Sequence, residues 1–318
     1  MLRFGIIGTN FISDWFVQAC AEAGDAVTPV AVYSRSEERG RRFAARHALP
    51  YAFTDLAQMV DEVDAVYVAS PTAAHFPQAM QAVEAGKHVL IEKTMTENAA
   101  QTEQLFAAAD ANGVVAMEAT RNLHAPAHAL IRDALPRLGT LRYAHLEMLQ
   151  YSSRYDRHKA GERLNAFDPT LGNSALADIG VYCLEPALDW FGVPETQSGD
   201  SVRLDNGFEA LGSIQLSYPG MLVDVVYSKV AQSAVPSVIV GEQGSLTIDN
   251  MAQPSRIVLE RRGEPEVVLL DVEAPEPADS MHFEVASFAR QVEAGMTDPR
   301  WREVTASARR IMDEHLNG

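Results

Sequence analysis

Short apolar runs alternate with amphipathic segments over the first 120 residues of the chain. Apolar side chains at helical spacing predict a helix after each of these runs. Because the runs themselves are continuously apolar, they indicate strands of a parallel sheet that is covered on both faces. The predicted strands are 2–7, 29–33, 64–69, 88–91 and 114–117, and the predicted helices are 11–23, 37–47, 56–60, 74–85 and 97–112.

The pattern changes after residue 120, because strand then follows strand, as in an antiparallel sheet. We therefore predict an α/β chain of two domains: a doubly wound Rossmann domain over 1–120, and an α+β domain with a large, mostly antiparallel open sheet over 121–318. The C-terminal helices could pack back on the first domain. The later predicted strands are 141–150, 207–218, 221–230, 237–240, 245–248, 256–260 and 266–270; the helices are 126–135, 175–191, 282–295 and 301–316, with a polar loop over 152–173.

Composition narrows the classes of function. The net charge of −17 argues against a nucleic-acid partner, which needs a basic face. Two cysteines are too few for a disulfide framework or a structural zinc site, so we expect no metal. The apolar run at the N-terminus is too short for a signal peptide, and no stretch approaches the roughly 18 apolar residues of a spanning helix. We expect a cytoplasmic protein without a membrane partner that acts on a small molecule.

The loop between the first strand and the first helix partly matches the dinucleotide fingerprint G-x-G-x-x-G. Gly8 keeps the first glycine, whereas Asn10 and Ser13 replace the other two. Asparagine tolerates left-handed backbone angles, and serine is small enough for close helix packing. We predict that the cofactor pyrophosphate lies at this helix N-terminus, against Gly8, Thr9, Asn10, Phe11 and Ile12. The alternative is an ordinary turn between strand and helix.

The end of the second strand bears on the choice of cofactor. NAD-specific domains place an acidic residue there to bind the ribose 2′-hydroxyl. This chain has Ser34 and Arg35 instead, with Arg39 one helical turn further on. Arginine and hydroxyl groups suit a 2′-phosphate, so NADP(H) is preferred and NAD(H) is possible. The alternative is a solvated basic helix start.

Polar residues also follow the next two strands. Ser70, Pro71 and His75 follow the third strand, and Glu92 with Lys93 ends the fourth. Ligands of open α/β sheets bind at the carboxyl ends of the strands, so we predict that these residues face the cofactor. A surface histidine and an exposed ion pair are the alternatives.

The second domain contributes two groups of candidate residues. Asp178 and Tyr182 are four residues apart and would share one helix face. A capping aspartate beside a core tyrosine is the alternative. Arg154 and Tyr155 lie in the polar loop, where they could contact a substrate or simply form surface.

Together these motifs resemble the glucose–fructose oxidoreductase, inositol dehydrogenase and rhizopine-catabolism (GFO/IDH/MocA) family over essentially the whole chain. The resemblance implies hydride transfer between a nicotinamide cofactor and a sugar, polyol or diol. Lys93 matches the lysine that orients the substrate hydroxyl, and Tyr182 matches the acid/base tyrosine, whose phenolate a nearby lysine charge favours. Arg154, Tyr155 and Asp178 would contact the substrate. The resemblance also implies a homodimer or homotetramer through the second sheet, whose open apolar face would need a cover.

One residue departs from the family pattern. Thr94 follows Lys93, where the family usually has a proline after an often cis bond. A cis bond costs roughly 2.5–4 kcal/mol without proline, so we expect a trans bond here that displaces Lys93. This departure supports the alternative function, an NADP(H)-binding sensor with weak or no catalysis.

Overall fold

The computed structural model describes residues 1–317, which form two compact units. The first unit comprises residues 1–121 and 276–306. The second comprises residues 122–275 and the C-terminal segment from Ser307.

Strands and helices follow the order of the chain. The strands are β1 (Leu2–Ile7), β2 (Val27–Tyr33), β3 (Tyr51–Phe53), β4 (Ala65–Val68), β5 (His88–Glu92), β6 (Ala116–Ala119), β7 (Leu141–Leu149), β8 (Thr196–Arg203), β9 (Glu209–Tyr218), β10 (Met221–Ser228), β11 (Ser237–Gly241), β12 (Gly244–Ile248), β13 (Arg256–Arg261) and β14 (Val267–Asp271). The α-helices are α1 (Phe11–Glu22), α2 (Glu37–Arg46), α3 (Leu56–Asp61), α4 (His75–Glu84), α5 (Ala99–Asn112), α6 (Arg121–His124), α7 (Pro126–Ala134), α8 (Tyr155–Lys159), α9 (Val181–Phe191), α10 (Met281–Ala294) and α11 (Pro299–Asn317).

The first unit is built on a parallel sheet with the strand order β3-β2-β1-β4-β5-β6. Successive side chains of a strand point to opposite faces, and both faces of this sheet are buried. Phe4 and Tyr67 pack on one face with Phe16 of α1 and Phe288 of α10. The other face is covered by apolar residues of α3, α4 and α5. This doubly wound arrangement confirms the predicted Rossmann fold.

The second unit is built on a sheet with the strand order β14-β13-β12-β11-β7-β10-β9-β8. Only β7 and β10 pair in parallel, so the prediction of a mostly antiparallel sheet is confirmed. The inner face, with Leu146 and Val225, packs against α9 and the last turns of α11.

Two strands were not predicted from the sequence, because β3 is too short to show a pattern and β8 is polar. β3 has only three residues and pairs with β2 at the edge of the first sheet. β8 has the polar sequence TQSGDSVR and pairs with β9 at the edge of the second sheet. An edge strand is paired along one edge only and is less buried, so its sequence need not be apolar.

The open face of the second sheet is more polar than expected. Tyr143 donates a hydrogen bond to Asp224 (2.8 Å), Gln215 donates another (3.0 Å), and His145 bonds Glu147 (3.0 Å). The open face is therefore mixed rather than uniformly apolar, because Leu222 and Val226 of β10 lie on the same face as these polar groups.

Candidate active site

Gly8 directly follows β1 and lies close to Ala69, the residue after β4. Its φ of +117° is unfavourable for residues with a side chain. A Cβ atom at this position would lie 2.8 Å from the carbonyl oxygen of Ala69. Only glycine therefore fits at this close contact between the ends of β1 and β4.

Asn10 caps the helix that follows this loop. Its Oδ1 accepts a hydrogen bond from the backbone N–H of Ser13 (3.1 Å), and its Nδ2 donates to the carbonyl of Ala69 (2.9 Å). Its φ of −91° is not left-handed, so the reason we gave for asparagine is wrong. The side chain is needed as a cap that ties the loop to the end of β4.

The remaining residues of the loop differ in exposure. Thr9 is half-buried. Phe11 begins α1 with half of its side chain exposed, and its ring lies 5.0 Å from that of Trp15. Ile12 packs against the core of the first unit. Backbone amides in the first turn of a helix such as α1 are suited to an anion.

The turn after β2 presents two arginines. Ser34 is buried, and its Oγ accepts a hydrogen bond from the N–H of Ser36 (3.2 Å), so this hydroxyl builds the turn. Arg35 and Arg39 are exposed, and within residues 1–317 neither has an acidic partner. By contrast, Arg41 of the same helix pairs with Glu37 (2.6 Å).

His75 is buried between the ends of β4 and β5. Its Nε2 lies 2.7 Å from the carbonyl oxygen of Ser70, and its Nδ1 lies 3.0 Å from that of Thr94. Burial lowers the pKa of His75, although the Ser70 carbonyl opposes this shift. The imidazole is 1% exposed, so it holds the two loops together and its predicted contact with the cofactor stays a prediction. Ser70 donates to Gln78 (2.7 Å), and Pro71 starts a short 3₁₀ turn.

The peptide bond between Lys93 and Thr94 is cis. The expectation of a trans bond is therefore wrong. Thr94 is buried, its carbonyl faces His75, and the N–H of Met95 donates to Glu118 Oε1 (2.6 Å). These neighbours, rather than the residue type at position 94, fix the backbone beside Lys93.

Two acids interact next to Lys93: the half-buried Glu92 and the buried Glu284 of α10. Tyr67 donates a hydrogen bond to Glu92, and burial raises the pKa of that carboxyl. Glu284 of α10 is 1% exposed; burial and the nearby Glu92 raise its pKa well above the ordinary value, although Arg121 opposes the shift. A carboxyl with a raised pKa is more easily kept as the neutral acid.

We expect Glu284→Gln to stabilise the protein at pH 8. The folded state holds the Glu284 proton more tightly than the unfolded state does, because the pKa of this carboxyl is raised on folding. The stability that this proton contributes is fully present below the unfolded pKa and is lost as the pH rises towards the folded pKa. The free energy of unfolding at pH 8 should rise by about 1–3 kcal/mol, the cost of a poorly satisfied buried group. Glu293→Gln, at an exposed position of the same helix, is the control. Equal stability of both variants at pH 4 and pH 8 would contradict this view.

In the second unit, the segment before α9 is a π-helical turn over Leu176–Gly180. The prediction of one α-helix over 175–191 is therefore wrong at its start. The 3.6-residue period of an α-helix cannot be used to place Asp178 and Tyr182 on one helix face. The Asp178 side chain is 43% exposed and pairs with Lys229 Nζ (2.7 Å). Tyr182 is 8% exposed in the first turn of α9. π-helical turns of this kind are frequent at functional sites.

Arg154 and Tyr155 lie at the start of α8. Arg154 is exposed at the N-terminal flank of this helix. The ring of Tyr155 lies 5.5 Å from that of Phe167, and Lys159 Nζ lies 5.0 Å from the Tyr155 ring. Tyr155 thus belongs to an aromatic cluster.

The structure brings the sequence-predicted residues of the first unit to the carboxyl ends of β1, β2, β4 and β5. In the second unit, Asp178 and Tyr182 lie on adjoining helical segments. The sequence analysis missed Lys229 and Glu284, because no local motif marks a single charged residue at the end of a strand or within a helix.

In the described part of the chain, no group of three or more His, Cys, Asp or Glu side chains is arranged to hold a metal ion. Among residues 1–317, no helix is both long and apolar enough to span a bilayer.

The glycine-led turn and the helix N-terminus behind it define a dinucleotide-binding oxidoreductase fold. Residues 2–120 match the model of the oxidoreductase family with an NAD-binding Rossmann fold, and residues 127–247 match the GFO/IDH/MocA C-terminal domain. The chain belongs to the GFO/IDH/MocA oxidoreductase family, so the resemblance noted from its motifs is confirmed.

Relatives and solved structures extend this likeness over the full chain. The chain is 39% identical to scyllo-inositol 2-dehydrogenase (NADP(+)) IolU of Bacillus subtilis (strain 168), over 99% of this chain and 96% of the relative. It is 35% identical to the uncharacterised oxidoreductase YgjR of Escherichia coli (strain K12), over 99% and 95%. The crystal structure of the 3-ketoreductase KijD10 from Actinomadura kijaniata, in complex with NADP and TDP-benzene, matches with a TM-score of 0.84 and 26% identity, over 100% of this chain and 97% of that one.

Proposed function

We propose that this oxidoreductase is an NADP(H)-dependent dehydrogenase or reductase of the CH–OH group of a sugar, polyol or diol. The observation that carries the proposal is the placement of Lys93 at the carboxyl end of β5, on a segment anchored through His75 and Glu118. IolU acts on scyllo-inositol with NADP(+), and KijD10 is a ketoreductase crystallised with NADP, which supports the same class of substrate and cofactor.

The cofactor site is proposed because residues at the strand ends of the first unit suit the parts of NADP(H). The loop at Gly8, where contact with Ala69 excludes a Cβ, and the amides of Thr9 to Ile12 would hold the pyrophosphate. Arg35 and Arg39 would bind the 2′-phosphate, with Ser34 shaping the turn. Ser70, Pro71, His75, Glu92 and Lys93 would support the nicotinamide end. Bound NADP(H) supplies or accepts the hydride.

The side chains of this chain handle the substrate oxygen and its proton. Lys93 Nζ would donate a hydrogen bond to that oxygen and stabilise negative charge on it. The Tyr182 hydroxyl would pass the proton to or from the same oxygen as general acid or base. Asp178, Arg154 and Tyr155 would bind further hydroxyl groups.

The two parts of the chain are proposed to divide these tasks as predicted, with the cofactor on residues 1–120 and the substrate and subunit contacts on residues 121–318. A homodimer or homotetramer in the cytoplasm is the proposed assembly. Leu222 and Val202, which are 43% and 55% exposed, are apolar positions that subunit contacts could bury.

A substrate panel tests the activity. Purified protein is mixed with NADP+ and scyllo-inositol, other polyols or diols, and with NADPH and the matching ketones, while NADPH absorbance is followed. We expect turnover of at least one member, with NADP(H) preferred over NAD(H). Tight NADPH binding without turnover of any member would favour the alternative, a sensor that binds the cofactor without catalysis.

We expect the double variant Arg35→Ala/Arg39→Ala to bind NADP+ about 10- to 100-fold more weakly, since a hydrogen bond to a charged group contributes about 1.5–3 kcal/mol. Its affinity for NAD+, which has no 2′-phosphate, should be unchanged. Arg41→Ala is the matched control, because Arg41 already pairs with Glu37. Fluorescence titration gives both dissociation constants, and equal loss for the two cofactors would refute the assignment.

A further inference from the structure

Lys229 is a buried lysine in the second unit. It follows the last residue of β10, and its backbone N–H donates to the carbonyl of Ala210 (2.9 Å). The residue is 4% exposed, although lysine is rarely buried in folded proteins. An ammonium group removed from water is costly unless charged and polar partners surround it.

The surroundings of Lys229 satisfy its charge. Nζ pairs with Asp178 Oδ2 (2.7 Å) and donates to the carbonyl of Ala166 (3.0 Å). It also lies 5.2 Å and 5.5 Å from the ring centroids of Phe167 and Phe208, within the range of a cation–π contact. Four partners from three parts of the chain therefore hold the ammonium group at one point.

Asp178 is much more accessible than its partner. Its side chain is 43% exposed, against 5% for the side chain of Lys229. The pair therefore joins a fixed cation to a carboxylate that solvent can reach. This differs from ion pairs whose two partners are both exposed, such as Arg41 and Glu37, which typically contribute little to stability.

The backbone that carries Asp178 is also held by hydrogen bonds to side chains. Glu209 is 1% exposed and accepts a hydrogen bond from the N–H of Leu176 (3.0 Å), and Ser174 Oγ accepts one from the N–H of Ala177 (3.0 Å). The π-helical turn is thus held at its start, while Lys229 holds the carboxylate that projects from it.

We propose that Lys229 is a positioning residue, which fixes the Asp178 carboxylate so that it accepts a hydrogen bond from a substrate hydroxyl group. The inference rests on the proposed role of Asp178 in substrate binding. Lys229 acts through Asp178 and does not itself contact the substrate. Carboxylates held in one orientation recognise vicinal hydroxyl groups of a polyol with less loss of side-chain entropy on binding.

A double-mutant cycle tests this inference with scyllo-inositol and NADP+ as the probes. Lys229→Met removes the charge and keeps an unbranched side chain of similar length. We expect kcat/KM for scyllo-inositol to fall about 10- to 100-fold, as for a misplaced substrate-binding group. The KM for NADP+ should change less than about two-fold, and Lys229→Arg should restore part of the activity.

The cycle separates positioning from general stabilisation. In an Asp178→Asn background, Lys229→Met should lower kcat/KM by less than about two-fold more, because the two residues act through one carboxylate. Multiplied losses in the double variant, or full activity of Lys229→Met, would overturn the proposal. If thermal unfolding shows that Lys229→Met does not fold, Lys229→Gln takes its place, and the same losses are expected for it. Lys87→Met, at a lysine that bonds the carbonyl of Val63, is the control.

A crystal structure of the same variant separates this proposal from the proposed function. Should the wild-type protein turn over no member of the substrate panel, the proposed function fails. The position of the Asp178 carboxylate in Lys229→Met then decides the inference alone. A displaced or disordered carboxylate supports positioning by Lys229, and an unmoved carboxylate overturns it.

Discussion

Lys93→Met should lower kcat/KM by about 10²–10³-fold, the loss typical of removing one preorganised donor to a developing oxyanion. Methionine keeps the length of the side chain but cannot donate a hydrogen bond or carry charge. The segment around it is fixed by His75 and Glu118, so the backbone should stay in place. Steady-state kinetics on the best substrate of the panel measures the loss.

The control for this variant is Lys87→Met, which makes the same chemical change away from the proposed site. The affinity for NADPH should change little in Lys93→Met, since the proposed pyrophosphate and 2′-phosphate contacts are untouched. Undiminished kcat with a raised KM for NADP+ would assign Lys93 to cofactor binding instead of catalysis.

Tyr182→Phe should lower kcat by about 10²–10⁴-fold, the usual contribution of a general acid or base. The side chain is 8% exposed in the first turn of α9, and phenylalanine keeps its ring packing. The backbone carbonyl of Tyr182, which accepts a hydrogen bond from Asn122 (3.1 Å), is unaffected. The melting temperature should therefore stay close to that of the wild type.

Tyr218→Phe is the matched control, because it removes a tyrosine hydroxyl that donates to the carbonyl of Gly192 (3.0 Å) in the same unit. Its kcat should equal that of the wild type within about two-fold, as expected away from the reacting groups. Equal activity of both phenylalanine variants would remove Tyr182 from the proton-transfer step.

The fold was predictable where burial imposes a pattern on the sequence. β4 and the central residues of β5 are buried and continuously apolar, so the positions of these strands follow from the sequence. The polar edge strand β8 was not predictable, because its pairing with β9 depends on backbone hydrogen bonds that any sequence can make. The π-helical turn was missed because the 3.6-residue period assumes an α-helix.

Parts of the candidate site depend on contacts between distant residues. Glu92 and Glu284 influence each other across 192 positions of the chain, and Asp178 meets Lys229 across 51. No local pattern contains such a pair. The strand-end motifs were predictable because parallel strands bring their carboxyl ends to one edge whatever their separation in sequence.

The discontinuous first unit has a consequence for biosynthesis. Val285 and Phe288 of α10 belong to the same core as Phe4 and Phe16, which lie near the N-terminus. Although domains generally fold as they emerge from the ribosome, this core cannot close until α10 has been translated. The nascent Rossmann sheet therefore exposes apolar surface during most of translation, and a truncation before α10 should yield a chain that chaperones retain.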